Sequence, residues 1–147
     1  PILREQLFSE ITEHAIAYRV EIVDAAVIDR INILEATRTG MYQALKALSP
    51  SPDAALIDAV ELPQLSISAQ SIIKGDAKSA SIAAASILAK VTRDRLMAAY
   101  DLEYPGYGFA KHKGYGTAEH LAAMQRLGVC PLHRRSFQPI RSIMELS

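Results

Sequence analysis

The chain is 147 residues long and half hydrophobic, a length and apolar share that suit a single domain, residues 1–147, with a core of its own. Sixteen Lys/Arg balance sixteen Asp/Glu, which argues against nonspecific polyanion binding by the whole surface; yet residues 1–73 carry five basic against ten acidic residues and residues 74–147 eleven against six, leaving room for a local phosphate-binding face. No run approaches the roughly 20 apolar residues of a membrane span, the start PILREQLFSE is amphipathic rather than a signal peptide, and the lone Cys130 excludes an intramolecular disulfide and a cysteine-based zinc cluster, so a soluble cytoplasmic protein with no membrane partner is expected.

In LREQLFSEITEHAIA, Leu3, Leu7, Phe8 and Ile11 share one helical stripe with charges opposite, which predicts an amphipathic helix. YRVEIVD alternates Tyr18, Val20 and Ile22 with Arg19 and Glu21 and stops at Asp24, predicting a strand that leads into a helix near AAVIDR. Residues Ile33 to Leu48 keep a helical apolar period despite Gly40, and SPSPD ends them with two prolines. AALIDAV reads as a short apolar strand, SAQSIIKGD as another, and residues 80–100 as the longest helix. The four glycines and the proline of YPGYGFAKHKGYGT predict a loop without regular structure. Thr117 then caps the helix AEHLAAMQRLG, and Gly128 sits at its C-terminal end. Three short strands are few for so many amphipathic helices, so part of a sheet is missing from the pattern.

Asp58 and Asp76 fall at the ends of the second and third strands. Ligands gather outside strand ends in α/β sheets, and paired carboxylates there suit Mg²⁺ or Mn²⁺, hard cations that prefer oxygen donors. Taken singly, each reads better as a turn or N-cap aspartate. The stretch IIKGDAKSASIAAASILAKVTRDRL sets a Lys-Gly-Asp corner before a helix rich in Ser and Ala. Such small side chains let a backbone come close, so Asp76 is expected to be positioned rather than merely solvated. Cys130, with no positioned base, reads as an ordinary buried thiol.

LIDAVELP, IIKGDAKSASIAAASILAKVTRDRLM, YPGYGFAKHKGYGT and HRRSF, in that order, closely resemble the bacterial type 2 ribonuclease H (ribonuclease HII) family. The NILEAT helix and the opening amphipathic helix extend the resemblance over essentially the whole chain. It implies the ribonuclease H-like α/β fold, a mixed sheet flanked by helices with extra C-terminal helices. The implied activity is endonucleolytic cleavage of RNA in RNA·DNA hybrids, and on the 5′ side of single ribonucleotides embedded in duplex DNA. Asp58 and Asp76 match two of the family's four metal-binding acids. The other two form an Asp-Glu pair on the family's first strand, followed by a Gly-Arg-Gly loop that senses the ribose 2′-hydroxyl. Neither is present here, so the chain is expected to be N-terminally incomplete, which accounts for the thin sheet. Two-metal phosphodiester hydrolysis holds its ions about 4 Å apart, one activating water and one stabilising the leaving oxygen, and two aspartates give too few ligands for that.

For a nucleic-acid face the resemblance supplies one residue, and charge and position suggest the others. Tyr107 matches the tyrosine that packs against the nucleotide beside the cleavage point; the alternative is a loop tyrosine that shields the fold. Lys74 and Lys90 flank the acids and would compensate phosphate charge, the alternative for either being a surface residue on a solvated face; Lys78 reads as such a surface residue and Asp94 as a partner for a neighbouring Arg. His112, with Lys111 and Lys113, could line that face, and neither His112 nor His120 reads as a metal ligand. Arg134 and Arg135 of LHRRSF suit a phosphate contact, or equally a loop docked on the fold. The alternative to an enzyme is a catalytically inactive nucleic-acid-binding remnant; an unrelated metal-dependent phosphatase would rest on the two aspartates alone.

Overall fold

The stripe of Leu7, Phe8 and Ile11 folds as predicted into a helix, α1 (Ile2–His14), the first element of a computed structural model that describes residues 2–145. Two further helices follow, α2 (Ala25–Ile31) and α3 (Ile33–Lys46), then the strands β1 (Ala54–Asp58) and β2 (Ser68–Ile72). A one-turn helix α4 (Gly75–Lys78) precedes the long α5 (Ala80–Glu103), and α6 (Phe109–His112), α7 (Ala118–Leu127) and α8 (Gln138–Glu145) complete the order. Residues 18–24, expected as a strand, join no ladder among the described residues; Tyr18 and Ile22 stand half exposed and Arg19 pairs with Glu21. An alternating pattern makes a segment ready to be a strand, but only a hydrogen-bonded neighbour makes it one.

The chain divides into two compact units. One takes in the chain up to Ile22 and Leu34–Val91; the other takes in Val23–Ile33 and the chain from Thr92. In the first, β1 and β2 pair in parallel. Parallel strands are usually joined by a dozen or more residues and a helix. Here residues 59–67 make the connection, and its side chains supply the cover that a helix would give: Leu62 is buried with Ala55 and Ile57, and Val60, Leu65 and Ile67 pack on them with Met41 and Leu45 of α3. Alternation along β1 turns Ala55 and Ile57 inward and leaves Leu56 half exposed.

The second unit is built on aromatic and sulfur side chains. Phe109 and Met124 are its largest fully enclosed residues, surrounded by Tyr107, Ala123, Cys130 and Ile140, with Met97 and Tyr100 of α5 and Tyr104 just after it packed against them. Burying side chains of this size contributes roughly 1.5–3 kcal/mol each. The glycine-rich segment holds one turn of helix, α6, that its composition did not predict: Gly108 (φ 81°) and Lys113 (φ 53°), both left-handed, bracket four residues that bury Phe109 and His112. Thr117 caps α7 as expected, its hydroxyl accepting from the amide of His120, and Gly128 (φ 78°) ends that helix. No described helix is long and apolar enough to cross a membrane.

Candidate active site

In the parallel register Asp58 lies opposite Ile72, so the chain leaves both strands at the same edge. Past Ile72 the backbone turns through Lys74, whose φ of 54° is left-handed, a conformation that costs an ordinary residue about 1–2 kcal/mol. The turn presents the amide of Gly75 to Asp58, whose Oδ1 accepts its hydrogen bond at 2.8 Å. Asp76 comes next, its Oδ1 accepting from the amide of Ala77 at 2.9 Å. Both bonds fall on Oδ1 and leave each Oδ2 for another ligand.

Gly75 is buried, and a larger residue there would have to displace the end of the Ile82 side chain. A Cβ would lie 2.5 Å from Cδ1 of Ile82 and 3.3 Å from Oδ1 of Asp58. The expectation that the Ser/Ala face of the helix holds this corner needs correction: Ala80, Ser81, Ala85 and Ser86 are exposed, and the buried residues of α5 are Ile82, Leu88 and Val91. A branched side chain fills the space against a glycine that Ser or Ala would leave as a void. At the corner itself the small residue is Gly75, with Ile82 against it, while Ala83 and Ala84 of α5 are half-buried.

Asp58 is half-buried and Asp76 exposed, as is Lys74; Lys90 lies half-buried on α5. Carboxylates with an oxygen to spare suit the hard divalent cations, so this pair fits part of the ligand set of Mg²⁺ or Mn²⁺. No group of three or more His, Cys, Asp or Glu that could hold a metal ion occurs among the described residues.

In the second unit Tyr107 is only 8% exposed. Its ring stacks on Phe109 with centroids 5.4 Å apart, and its hydroxyl donates to the carbonyl of Gly128 at 2.9 Å. Burial, assisted by the Cys130 thiol, pushes the Tyr107 phenol above its usual pKa. With Gly106, Gly108, Glu119 and Arg126 it lines an open depression of about 370 Å³. Arg126 is held at its edge by donating to the carbonyl of Gly106. His112 departs from the expectation that it lines a nucleic-acid face. It is 6% exposed, with Nε2 at 2.7 Å from the carbonyl of Tyr107 and its ring stacked on His120. The apolar interior takes up an imidazole whose nitrogens are both bonded, while its neighbour Lys111 stays exposed and pairs with Glu119.

The HRRSF segment is docked on its unit by Asp29 of α2. One carboxylate accepts from the amides of Arg135 and Ser136 and from the Ser136 hydroxyl. Burial opposes ionisation of Asp29, but those hydrogen bonds and the charge of Arg134 outweigh it and hold its pKa below the usual carboxylate range. Arg134 lies over the ring of Phe137 at 4.8 Å, and the Arg135 side chain is exposed. Nothing in AAVIDR marked Asp29 for this role, because its partners lie more than a hundred residues away.

The sequence profile of ribonuclease HII matches residues 2–140. The chain belongs to the ribonuclease HII family. It is 58% identical over 144 residues to the ribonuclease HII of Geobacillus thermodenitrificans, covering 98% of this chain and 55% of that protein. With the ribonuclease HII of Ruminiclostridium cellulolyticum it shares 56% identity over 134 residues, 91% of this chain and 52% of the relative. The chain thus spans about half the length of the curated relatives it matches. Its fold is similar to the crystal structure of ribonuclease H2 from Pyrococcus horikoshii, with a TM-score of 0.83 at 25% identity over 99% of this chain and 77% of that one. The helix-rich arrangement around a small parallel sheet is accordingly a ribonuclease H-like α/β fold.

Proposed function

We propose that this chain carries two of the metal-binding acids of a cytoplasmic endoribonuclease that cleaves the RNA strand of RNA·DNA hybrids and cuts 5′ of single ribonucleotides in duplex DNA. Membership of the ribonuclease HII family supports the reaction class, and the observation that carries the site is the hydrogen bond from Gly75 to Asp58. That bond ties the end of β1 to the residue preceding Asp76, so one rigid corner presents both carboxylates.

Asp58 and Asp76 would hold Mg²⁺ or Mn²⁺, with the family's Asp-Glu pair completing the ligand set. Bound there, such ions lower the pKa of an attacking water and neutralise the leaving oxygen. The chain's own residues orient. Gly75 and Ile82 fix the angle of the acids, and exposed Lys74 offers charge to the phosphate. A nucleotide would meet Tyr107 only at the open depression that it lines with Gly106 and Gly108, and Arg134 and Arg135 would contact the backbone of the duplex, positioning it without reading sequence.

The test is cleavage of a duplex containing one ribonucleotide, in Mg²⁺ or Mn²⁺, by the chain and by the chain extended with the family's Asp-Glu and Gly-Arg-Gly segment. Metal-dependent cleavage 5′ of the ribonucleotide by the extended protein, with little or none by the 147 residues alone, is expected. Robust cleavage by the 147 residues would overturn the assignment of the remaining ligands to that segment. A folded but silent extended protein that still binds the duplex would favour the binding-only reading, which the lack of a third acid near Asp58 and Asp76 among the described residues makes worth separating.

A further inference from the structure

Three of the four histidines, His112, His120 and His133, are buried together, at 6%, 3% and 4% exposure. Their rings touch: His112 stacks on His120 with centroids 4.2 Å apart, and His120 and His133 lie 5.1 Å apart. Every ring nitrogen has a partner, and backbone chemistry dictates who donates. An amide N–H can only donate and a carbonyl can only accept.

Nδ1 of His133 lies 2.9 Å from the amide of Cys130 and 3.3 Å from the carbonyl of the same residue; the shorter contact, with the amide donating, assigns that nitrogen the lone pair and places the proton of neutral His133 on Nε2. From the other end, Nδ1 of His120 faces the carbonyl of Tyr115 at 2.9 Å and must carry a proton, which leaves the lone pair on Nε2. The two Nε2 atoms are 3.0 Å apart, and the two independent assignments meet there as one donor and one acceptor. His112 obeys the same logic. Gly114 N–H donates to its Nδ1 at 3.2 Å, and its Nε2–H donates to the carbonyl of Tyr107 at 2.7 Å.

We propose that these three histidines are positioning residues, a set of neutral imidazoles in one fixed tautomeric arrangement that locks the segment carrying Tyr107 and releases it when one of them takes up a proton. A proton on Nε2 of His120 would point at the N–H of His133, one on Nδ1 of His112 at the amide of Gly114, and one on Nδ1 of His133 at the amide of Cys130. The first breaks the ring-to-ring bond between His120 and His133; the other two break the bonds that hold the amide of Gly114 and the amide of Cys130. The consequence for cleavage rests on the proposed role of Tyr107; the lock itself does not.

The groups around the cluster oppose protonation or compete for it. Phe109 packs edge-on against His112 and His120, and the Tyr107 ring and Cys130 lie against His133. From α7, Glu119 approaches the His112 side of Gly108 but is ion-paired with Lys111 of α6. From α5, Arg93 donates to the carbonyl of Lys113 and adds positive charge on that side, while Glu103 acts on Cys130. Burial holds both His120 and His133 below the ordinary histidine pKa, His133 at about 4.

The experiment is long-range ¹H–¹⁵N imidazole spectroscopy of the ¹⁵N-labelled protein, with exposed His14 as the internal reference. At neutral pH His112 and His133 should show the Nε2–H tautomer and His120 the Nδ1–H tautomer. On acidification His133 should take up its proton well below the ordinary histidine value of about 6.5, and the amide of Cys130 should shift with it. Any of the three in the opposite tautomer, or a Cys130 amide that does not shift as His133 titrates, overturns the proposal. If the tautomers hold and Tyr107→Ala leaves cleavage by the extended enzyme unchanged, the lock stands and the reading of Tyr107 fails.

Discussion

At the acidic corner the working groups meet water: Asp76 and Lys74 are exposed, Asp58 is half-buried, and β2 beside them has no buried residue. The unit of Tyr107 encloses Phe109, Met124 and three histidines, with each ring nitrogen bonded. The difference follows from what each region handles. On the proposed reading the carboxylates serve a hard cation with an uncommitted oxygen, a task that asks for little burial and one firm anchor, the bond from Gly75. The glycine-rich segment that carries Tyr107 takes its order from buried, fully paired polar groups, where an unpaired one would cost about 1–3 kcal/mol.

Breaking the aromatic unit has the largest expected effect. Phe109→Ala removes its most enclosed ring and should destabilise the protein by about 3–5 kcal/mol in urea or thermal unfolding. Acid acts on the same unit. Folded His133 titrates at about 4 and the unfolded chain near 6.5, so the unfolded state takes up the proton first. Its contribution is therefore fully present above about pH 6.5 and is lost as the pH falls toward 4, amounting to roughly 3 kcal/mol over that window. Urea midpoints measured from pH 7 down to pH 4 should fall, and His133→Gln should flatten the decline.

At the corner Gly75→Ala should cost about 1–3 kcal/mol by overpacking against Ile82. It should also lower cleavage by the extended enzyme, because the displaced group is the Asp58 anchor. The smallest effect expected is at the start of α7. Thr117→Ala removes the hydroxyl that accepts from His120, worth about 1 kcal/mol in chemical denaturation, and leaves the acidic corner untouched.

Where local pattern decides, the chain was readable. The helices α1, α3, α5 and α7, the strands β1 and β2, the Thr117 cap and the Gly128 terminus all follow from periodicity and small-residue chemistry. Pairing between distant residues was not readable in the same way. YRVEIVD has strand composition but no neighbour in the described fold, and α6 exists because Phe109 and His112 have a core to enter. The Lys-Gly-Asp corner stands out in sequence, whereas the Ile82 side chain that lies against Gly75 carries no local mark of that contact. The histidine chain left no local mark at all, since its members are 8 and 13 residues apart and meet only in the folded unit.

The central claim is that the corner exists to hold a metal, and it is tested most directly by cleavage of a single-ribonucleotide duplex in Mg²⁺ or Mn²⁺ by the extended enzyme, its Asp58→Asn variant and its Asp76→Asn variant, each checked for an unchanged melting temperature. Removing one negative oxygen from either acid should lower the rate by at least about 100-fold, the scale on which groups that stabilise transition-state charge act. A folded Asp76→Asn protein that cleaves within about twofold of the parent, far inside that scale, would contradict the account and return the aspartate to an ordinary turn.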